Sequence, residues 1–234
     1  MTQTPADQAE LFRKMAAGYD AAIRVYQPSY DDMLHLSTDL AAACAPGRTR
    51  CLDYGCGTGG ALAQLCALFD EVVAVDPGRA MLDVARARAS QEQGDGAARV
   101  RFVEGTTSSA EVAALDDASF DAAHCSMVLM FVEGDEAKLA TLRALHRLLR
   151  PGAALVQTEV LRDADEDATF ELWRAIMRRR GATEEQIATG ERQIHALMHR
   201  RDAGEIRALL AAAGFAHVTR AYQSLHTAIF VARK

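Results

Sequence analysis

Two hydrophobic periods alternate along the middle of the chain. Short apolar runs at 50–54, 71–75, 99–104, 119–125 and 153–159 read as buried strands. Between them, at 60–69, 79–92, 108–114 and 135–149, apolar residues return at helical spacing. The stripe Leu139, Leu142, Leu145, His146 and Leu149 is the longest example. Pro77-Gly78 opens one of these helices, Asp95-Gly96 marks the loop before the third strand, and Arg150-Pro151-Gly152 closes the last helix. Strands joined by helical crossovers pair in parallel, with helices on both faces of the sheet.

The rhythm changes at both ends. Residues 6–17 carry a helical pattern with Leu11 and Met15 on one side, interrupted at Gly18-Tyr19-Asp20, and Pro28 rules out a continuous helix. A further helix from Asp31 carries Met33, Leu34, Leu36 and Leu40 inward and stops at Ala45-Pro46-Gly47. After the fifth strand comes an acidic stretch, Asp163–Asp167. Two helices follow, the first with Phe170, Trp173, Ile176 and Met177, the second over Glu184–Met198. Helix Ala203–Ala213, stopped by Gly214, then leads into strands 217–222 and 225–232, with Gln223-Ser224 as the hairpin loop. The prediction is one α/β domain over 1–234: a doubly wound, seven-stranded, mostly parallel sheet with an antiparallel C-terminal strand. An N-terminal helical lid (1–45) and a helical cap insertion (163–201) would flank the carboxyl edge of the sheet, where open α/β folds bind ligands.

Half of the 234 residues are hydrophobic, enough for a full core, and no apolar run reaches membrane-spanning length. The N-terminus lacks the charged and apolar regions of a secretory signal. Five cysteines without C-x-x-C spacing argue against a disulfide framework or a zinc site, so a reducing cytoplasm is expected. A net charge of −6 disfavours a nucleic-acid partner. The acidic excess lies in residues 1–162. The remainder is near balance and holds Arg178-Arg179-Arg180 and His199-Arg200-Arg201, read as solvated helix faces before an anion-binding patch. A small-molecule substrate and no membrane are expected, with a homodimer left open.

The chemistry concentrates at Cys51-Leu52-Asp53-Tyr54-Gly55-Cys56-Gly57-Thr58-Gly59-Gly60, a strand running into a glycine turn and then a helix. Glycines let the backbone take positive φ and approach a ligand closely. The turn suits a dinucleotide or S-adenosyl-L-methionine (SAM), because Gly55-x-Gly57-x-x-Gly60 is also the dinucleotide fingerprint. Asp53 breaks the tie: its carboxylate would repel a pyrophosphate but favours the ammonium and sulfonium of SAM. Asp76, ending Val72-Val73-Ala74-Val75, lies roughly twenty residues past the first glycine, the spacing of an acid that binds ribose hydroxyls.

Strand, turn, helix, strand and ribose acid together resemble class I SAM-dependent methyltransferases. Closer likeness comes from Tyr19-Asp20…Ile23-Arg24…Pro28…Tyr30, Ser126-Met127-Val128…Phe131 and Gly214-Phe215…Tyr222-Gln223-Ser224-Leu225. These resemble the carboxy-SAM synthase and tRNA wobble-uridine methyltransferase-like branch. The resemblance implies a cofactor site at Tyr19, Arg24, Tyr30, Asp53, Gly55, Cys56, Gly57, Asp76, Pro77, Met81, Gly105, Thr106, Thr107, Ser126 and Met127. Thr106 stands where many members carry an acid for the adenine amino group. In the carboxy-SAM branch an arginine upstream of the Gly-Phe helix end holds an extra carboxylate, and Arg192 occupies about that position. Gly57-Thr58-Gly59 departs from that branch toward the ordinary methyltransferase form. The Asn/Asp-Pro-Pro-Tyr element of amide and adenine methyltransferases is absent after the fourth strand.

His124 and His195 are the catalytic candidates, with His199, His226 and Glu159 as further acid–base groups. Methyl transfer from a sulfonium needs alignment more than proton transfer, so a general base is not required. Tyr26, Trp173, Arg192, His199 and Tyr222 are the acceptor-binding candidates. No metal site is expected, although His195 and His199 share a helix face. The overall expectation is SAM-dependent methyl transfer to a small molecule. The alternatives are an enzyme that makes or uses carboxy-SAM, and a non-catalytic SAM-binding module.

Overall fold

The computed structural model describes residues 5–93, 99–162 and 164–234. Asp95-Gly96 and Asp163, named above, lie outside the described residues. The strands are β1 (Arg50–Tyr54), β2 (Glu71–Asp76), β3 (Val100–Glu104), β4 (Phe120–Ser126), β5 (Leu149–Val160), β6 (Ala216–Ser224) and β7 (Thr227–Arg233). They form one seven-stranded sheet in the order β3-β2-β1-β4-β5-β7-β6. β1 to β5 pair in parallel, and β7 is inserted antiparallel between β5 and β6. The strand order reverses beside β1, so the carboxyl ends of β1 and β4 open at a topological switch point.

The described helices are α1 (Pro5–Met15), α2 (Tyr19–Tyr26), α3 (Tyr30–Ala43), α4 (Leu62–Leu68), α5 (Arg79–Gln93) and α6 (Ala110–Ala113). Beyond β4 come α7 (Asp135–Leu148), α8 (Glu166–Arg179), α9 (Glu184–Leu197) and α10 (Ala203–Ala212). Alternate strand residues enter two separate cores. Leu52, Val73, Val75 and Leu155 pack with Leu142, Leu145 and Leu210 on one face. Cys51, Val72, Ala74 and Val156 pack with Met33, Leu62 and Leu82 on the other. A third cluster, Phe170, Trp173, Met177, Ile187 and Ile194 with Met130 and Val160, joins α8 and α9 to the carboxyl end of β5.

Two local expectations hold and two change. The first helical stretch is interrupted at Gly18: α1 ends at Met15, and a 3-10 turn, Ala16–Gly18, leads into α2, with Asp20 favourably placed in its first turn. Pro28 lies between the end of α2 and the start of α3, so the helix is not continuous there. α4 begins at Leu62 because Gly57–Ala61 are used in turns. The hairpin loop is Leu225-His226, since Ser224 pairs with Thr227. Burial makes this apolar turn stable: His226 is 3% exposed and its ring stacks on Phe170 at 5.5 Å. Leu225 adopts φ +50° and packs on the same cluster.

α8 and α9 are tied to the N-terminal segment by polar contacts as well. Trp173 Nε1 donates to the Tyr26 carbonyl at 2.8 Å, and Arg180 donates to the Pro28 carbonyl at 2.5 Å. Arg174 pairs with Glu191 between the two helices. Thr183 and Gln186 form a capping box that starts α9, as Asp202 and Glu205 do for α10.

Candidate active site at the switch point

The turn after β1 is held by the neighbouring strand, whose Val75 carbonyl accepts from Gly55 N–H at 2.7 Å and Cys56 N–H at 3.0 Å. Gly55 has φ +74°, and a Cβ there would lie 2.2 Å from Val128. Glycine is required at that position by conformation and by space. At Gly57 the first obstacle to a Cβ is Met81 at 3.7 Å, so this backbone faces open cavity.

Asp76 accepts from Gly57 N–H at 3.0 Å and from Gly78 N–H at 2.7 Å, one bond to each oxygen. Burial pushes its carboxyl above the ordinary value, and those two N–H groups pull it back. Each oxygen keeps further acceptor capacity, and Asp76 lines the cavity.

Asp53 lies opposite His124 in the β1–β4 ladder. His124 Nδ1 meets Asp53 Oδ1 at 2.8 Å, and Nε2 meets Ser37 Oγ at 2.9 Å. The Ser37 hydroxyl also reaches the Leu34 carbonyl at 2.8 Å, so both ring nitrogens have partners within the protein. This geometry fixes His124 between Asp53 and Ser37 and orients the Asp53 carboxylate. Asp53 is 2% exposed, and its Oδ2 has no partner. An orphaned buried carboxylate oxygen is costly unless a cation or donor meets it.

Three adjoining cavities surround these groups. The largest, about 380 Å³, is lined by Tyr54, Asp76, Pro77, Met81 and Thr106 among others. One of about 40 Å³ lies against Tyr30, Asp53, Cys56, Thr58 and His124. One of about 80 Å³ opens between α1, α2 and α9. Tyr19 and Met127 line all three. Met127 is held at φ +58°, a conformation costing an L-residue about 1–2 kcal/mol, where strain commonly marks a functional position. Burial pushes the Tyr19 hydroxyl well up and that of Tyr30 up to about 12, so both stay protonated donors.

The structure gathers Tyr19, Tyr30, Asp53, Gly55, Cys56, Gly57, Asp76, Pro77, Met81, Thr106, Ser126 and Met127 around the two cavities nearest the glycine turn. It leaves other expected residues outside the walls. Arg24 bonds Asp31 and lies over the Tyr30 ring. Gly105 packs on Ser109, while Thr107 N–H donates to the Tyr54 hydroxyl. Of the acceptor candidates, only Tyr26 lines the third cavity. Trp173 is fully buried as a strut between α8 and the N-terminal segment. Arg192 is exposed and donates to Thr189 Oγ1, and His195 is exposed beside Arg200. His199 contributes its backbone N–H to the Met130 carbonyl, and Tyr222 is half-buried against the sheet. Arg192 and His195 sit on the solvent side of α9 because Ile187, Gly190, Ile194 and Leu197 occupy its inner side, while His199 lies beyond the end of that helix.

Several wall residues were not foreseen. Phe12 and Phe131 meet edge to face at 5.2 Å between the cavities. Phe12 extends the Leu11–Met15 stripe, which was the available signal. Asp20 accepts from Thr58 Oγ1 at 2.7 Å and pairs with Arg88, binding α2 to the glycine turn and to α5. No local pattern marks that contact, since its partners are far away in sequence.

Residues 52–157 match the family model described as a methyltransferase domain. The protein carries a methyltransferase domain and is a SAM-dependent methyltransferase enzyme. It is similar to a carboxy-S-adenosyl-L-methionine synthase from Wolinella succinogenes, at 26% identity over 241 residues, covering 100% of this chain and 96% of that one. A synthase of the same name from Pseudomonas aeruginosa is 34% identical over 126 residues, covering 53% of this chain and 51% of the relative. A SAM-dependent methyltransferase from Leishmania major shares the fold, with a TM-score of 0.68, 15% identity, and coverage of 98% of this chain and 82% of that one. The methyltransferase domain and these likenesses support SAM as the cofactor. The residues fit SAM: Asp53 Oδ2 lacks a partner, Asp76 has spare acceptor capacity, and Gly57 faces open space. Among the described residues no helix is long and apolar enough to cross a membrane, and no group of three or more His, Cys, Asp or Glu is arranged to hold a metal ion.

Proposed function

We propose that the methyltransferase alkylates a small-molecule acceptor enclosed between the N-terminal helices and the α8–α9 pair, which act as lid and cap. The observation that carries this reading is the meeting of the three cavities at Tyr19 and Met127. Bound SAM supplies an electrophilic methyl group on a sulfonium. Asp76 would take its ribose hydroxyls, and Asp53, oriented by His124, would balance the positive charge of its methionine end. Tyr19, Met127, Phe12 and Phe131 exclude water where the cavities join, which strengthens each electrostatic contact inside. With both His124 nitrogens engaged, alignment is the main contribution of the chain.

The names of the curated relatives favour a second reading, in which a carboxylated cofactor is made or used. Against it, among the described residues no Arg or Lys lines any of the three cavities, so an added carboxylate would lack a cationic partner there. The free thiols support a cytoplasmic setting.

Calorimetry with SAM and S-adenosylhomocysteine, together with transfer of labelled methyl into small-molecule or RNA fractions, tests the reading. Micromolar binding of both, with label in small molecules, is expected. Label appearing only in RNA, in a salt-sensitive manner, would overturn it.

A further inference from the structure

The third cavity differs in chemistry from the other two. Its walls are hydrocarbon and aromatic, including Leu11, Ile23, Ile194 and Leu197, and among the described residues the polar side chains in them are Tyr19, Tyr26 and Gln193. Among the described residues no Asp, Glu, Lys, Arg or His lines it. A charged acceptor group would lose its hydration there with nothing to replace it. An anion would face a second penalty, because the Asp, Glu, Lys and Arg side chains that line the two adjoining cavities are, among the described residues, the carboxylates Asp53 and Asp76.

Gly190 provides an independent sign that this chamber is shaped. It sits inside α9, where glycine weakens a helix. A Cβ at this position would lie 2.7 Å from two carbons of the Tyr26 ring and 3.2 Å from the Trp173 ring. The glycine lets α9 close onto Tyr26 while the ring remains a wall of the chamber.

Building on the methyl-transfer reading, we propose that the acceptor is an uncharged, predominantly apolar small molecule. Its nucleophile is a neutral thiol, phenol or aryl amine presented at Tyr19 and Met127. The acceptor lone pair forms the new bond to the methyl carbon, and the breaking carbon–sulfur bond leaves its pair on sulfur, giving S-adenosylhomocysteine. The acceptor proton departs to water, since both His124 nitrogens have partners within the protein. Gln193 and the two tyrosine hydroxyls are the polar groups available to orient it.

Matched pairs test this on the full chain: thiophenol, phenol and aniline, each against its 4-carboxylate derivative. Binding is measured by calorimetry in saturating S-adenosylhomocysteine, alongside methyl transfer from SAM. The neutral member of at least one pair should bind 10-fold or more tighter than its carboxylate. Equal or tighter binding of the carboxylates, or no binding by any neutral member, would overturn the proposal. Ile23→Lys places a cation in the chamber and should reduce that preference at least 10-fold. Gly190→Ala should weaken acceptor binding several-fold by moving Tyr26. Both variants should keep S-adenosylhomocysteine affinity within twofold. A wild-type chain that binds no S-adenosylhomocysteine would instead refute the underlying methyl-transfer reading. Retained cofactor binding with a carboxylate preference would refute only the acceptor class.

Discussion

The cofactor side and the acceptor side of this molecule are built on opposite plans. The first is polar and local: Asp53, the glycine turn and Asp76 fall within one strand–helix–strand unit, and the Gly57 and Gly78 N–H groups hold the Asp76 carboxylate. The second is apolar and non-local, assembled from α1, α2 and α9 by packing, with α2 fastened through Asp20 to Thr58 and Arg88. A common cofactor needs fixed donors and acceptors, whereas an acceptor chamber is specified by shape. A single fold can therefore keep one half and vary the other.

The largest expected effect breaks the polar half outright. Gly55→Ala forces a left-handed alanine against Val128, and the combined strain and overpacking should cost about 3–4 kcal/mol in urea unfolding. A loss below about 1 kcal/mol would show that the turn is more pliable than its contacts imply.

Next comes a buried carboxyl that lines neither chamber. Burial pushes Glu159 up to about 7, opposed by Lys138 from α7 and by Gln157. Its unfolded form ionises near the ordinary 4.5, so between pH 4.5 and 7 the folded state holds more protons than the unfolded one. Stability should fall as pH rises through that window, by on the order of 3 kcal/mol, and level off above it. Glu159→Gln should flatten the slope in pH-dependent unfolding while leaving SAM affinity unchanged. His226 opposes this trend: burial holds it down at about 4, so it removes stability as pH falls from its ordinary 6.5 toward that value. The Glu159 contribution is therefore read as the difference between wild type and variant.

A sharper division follows from Asp76→Ala, which should weaken SAM binding by about 2 kcal/mol through lost hydrogen bonds to a charged group. Calorimetry showing an equal loss for the acceptor would mean that the two sides are coupled rather than separate. The smallest effect is assigned to Arg192→Ala. An exposed arginine bonded only to Thr189 should change stability and kcat/KM by less than about 0.5 kcal/mol. A larger loss of activity would return the arginine to the acceptor site.

The sequence alone determined the sheet and the cofactor half. Strand and helix periods are local, and a glycine turn flanked by two acids carries its chemistry in consecutive residues. Tertiary structure decided the remainder. It fixed His124 between Asp53 and Ser37, which partner both its nitrogens. Arg192 and His195 looked like site residues until the apolar side of α9 turned inward and left them in solvent. Trp173 became a strut instead of a wall, and Leu225-His226 became a turn because the cap core buries it. Each outcome depends on which distant surface a side chain meets, and burial on that surface outweighs any preference the neighbouring residues express.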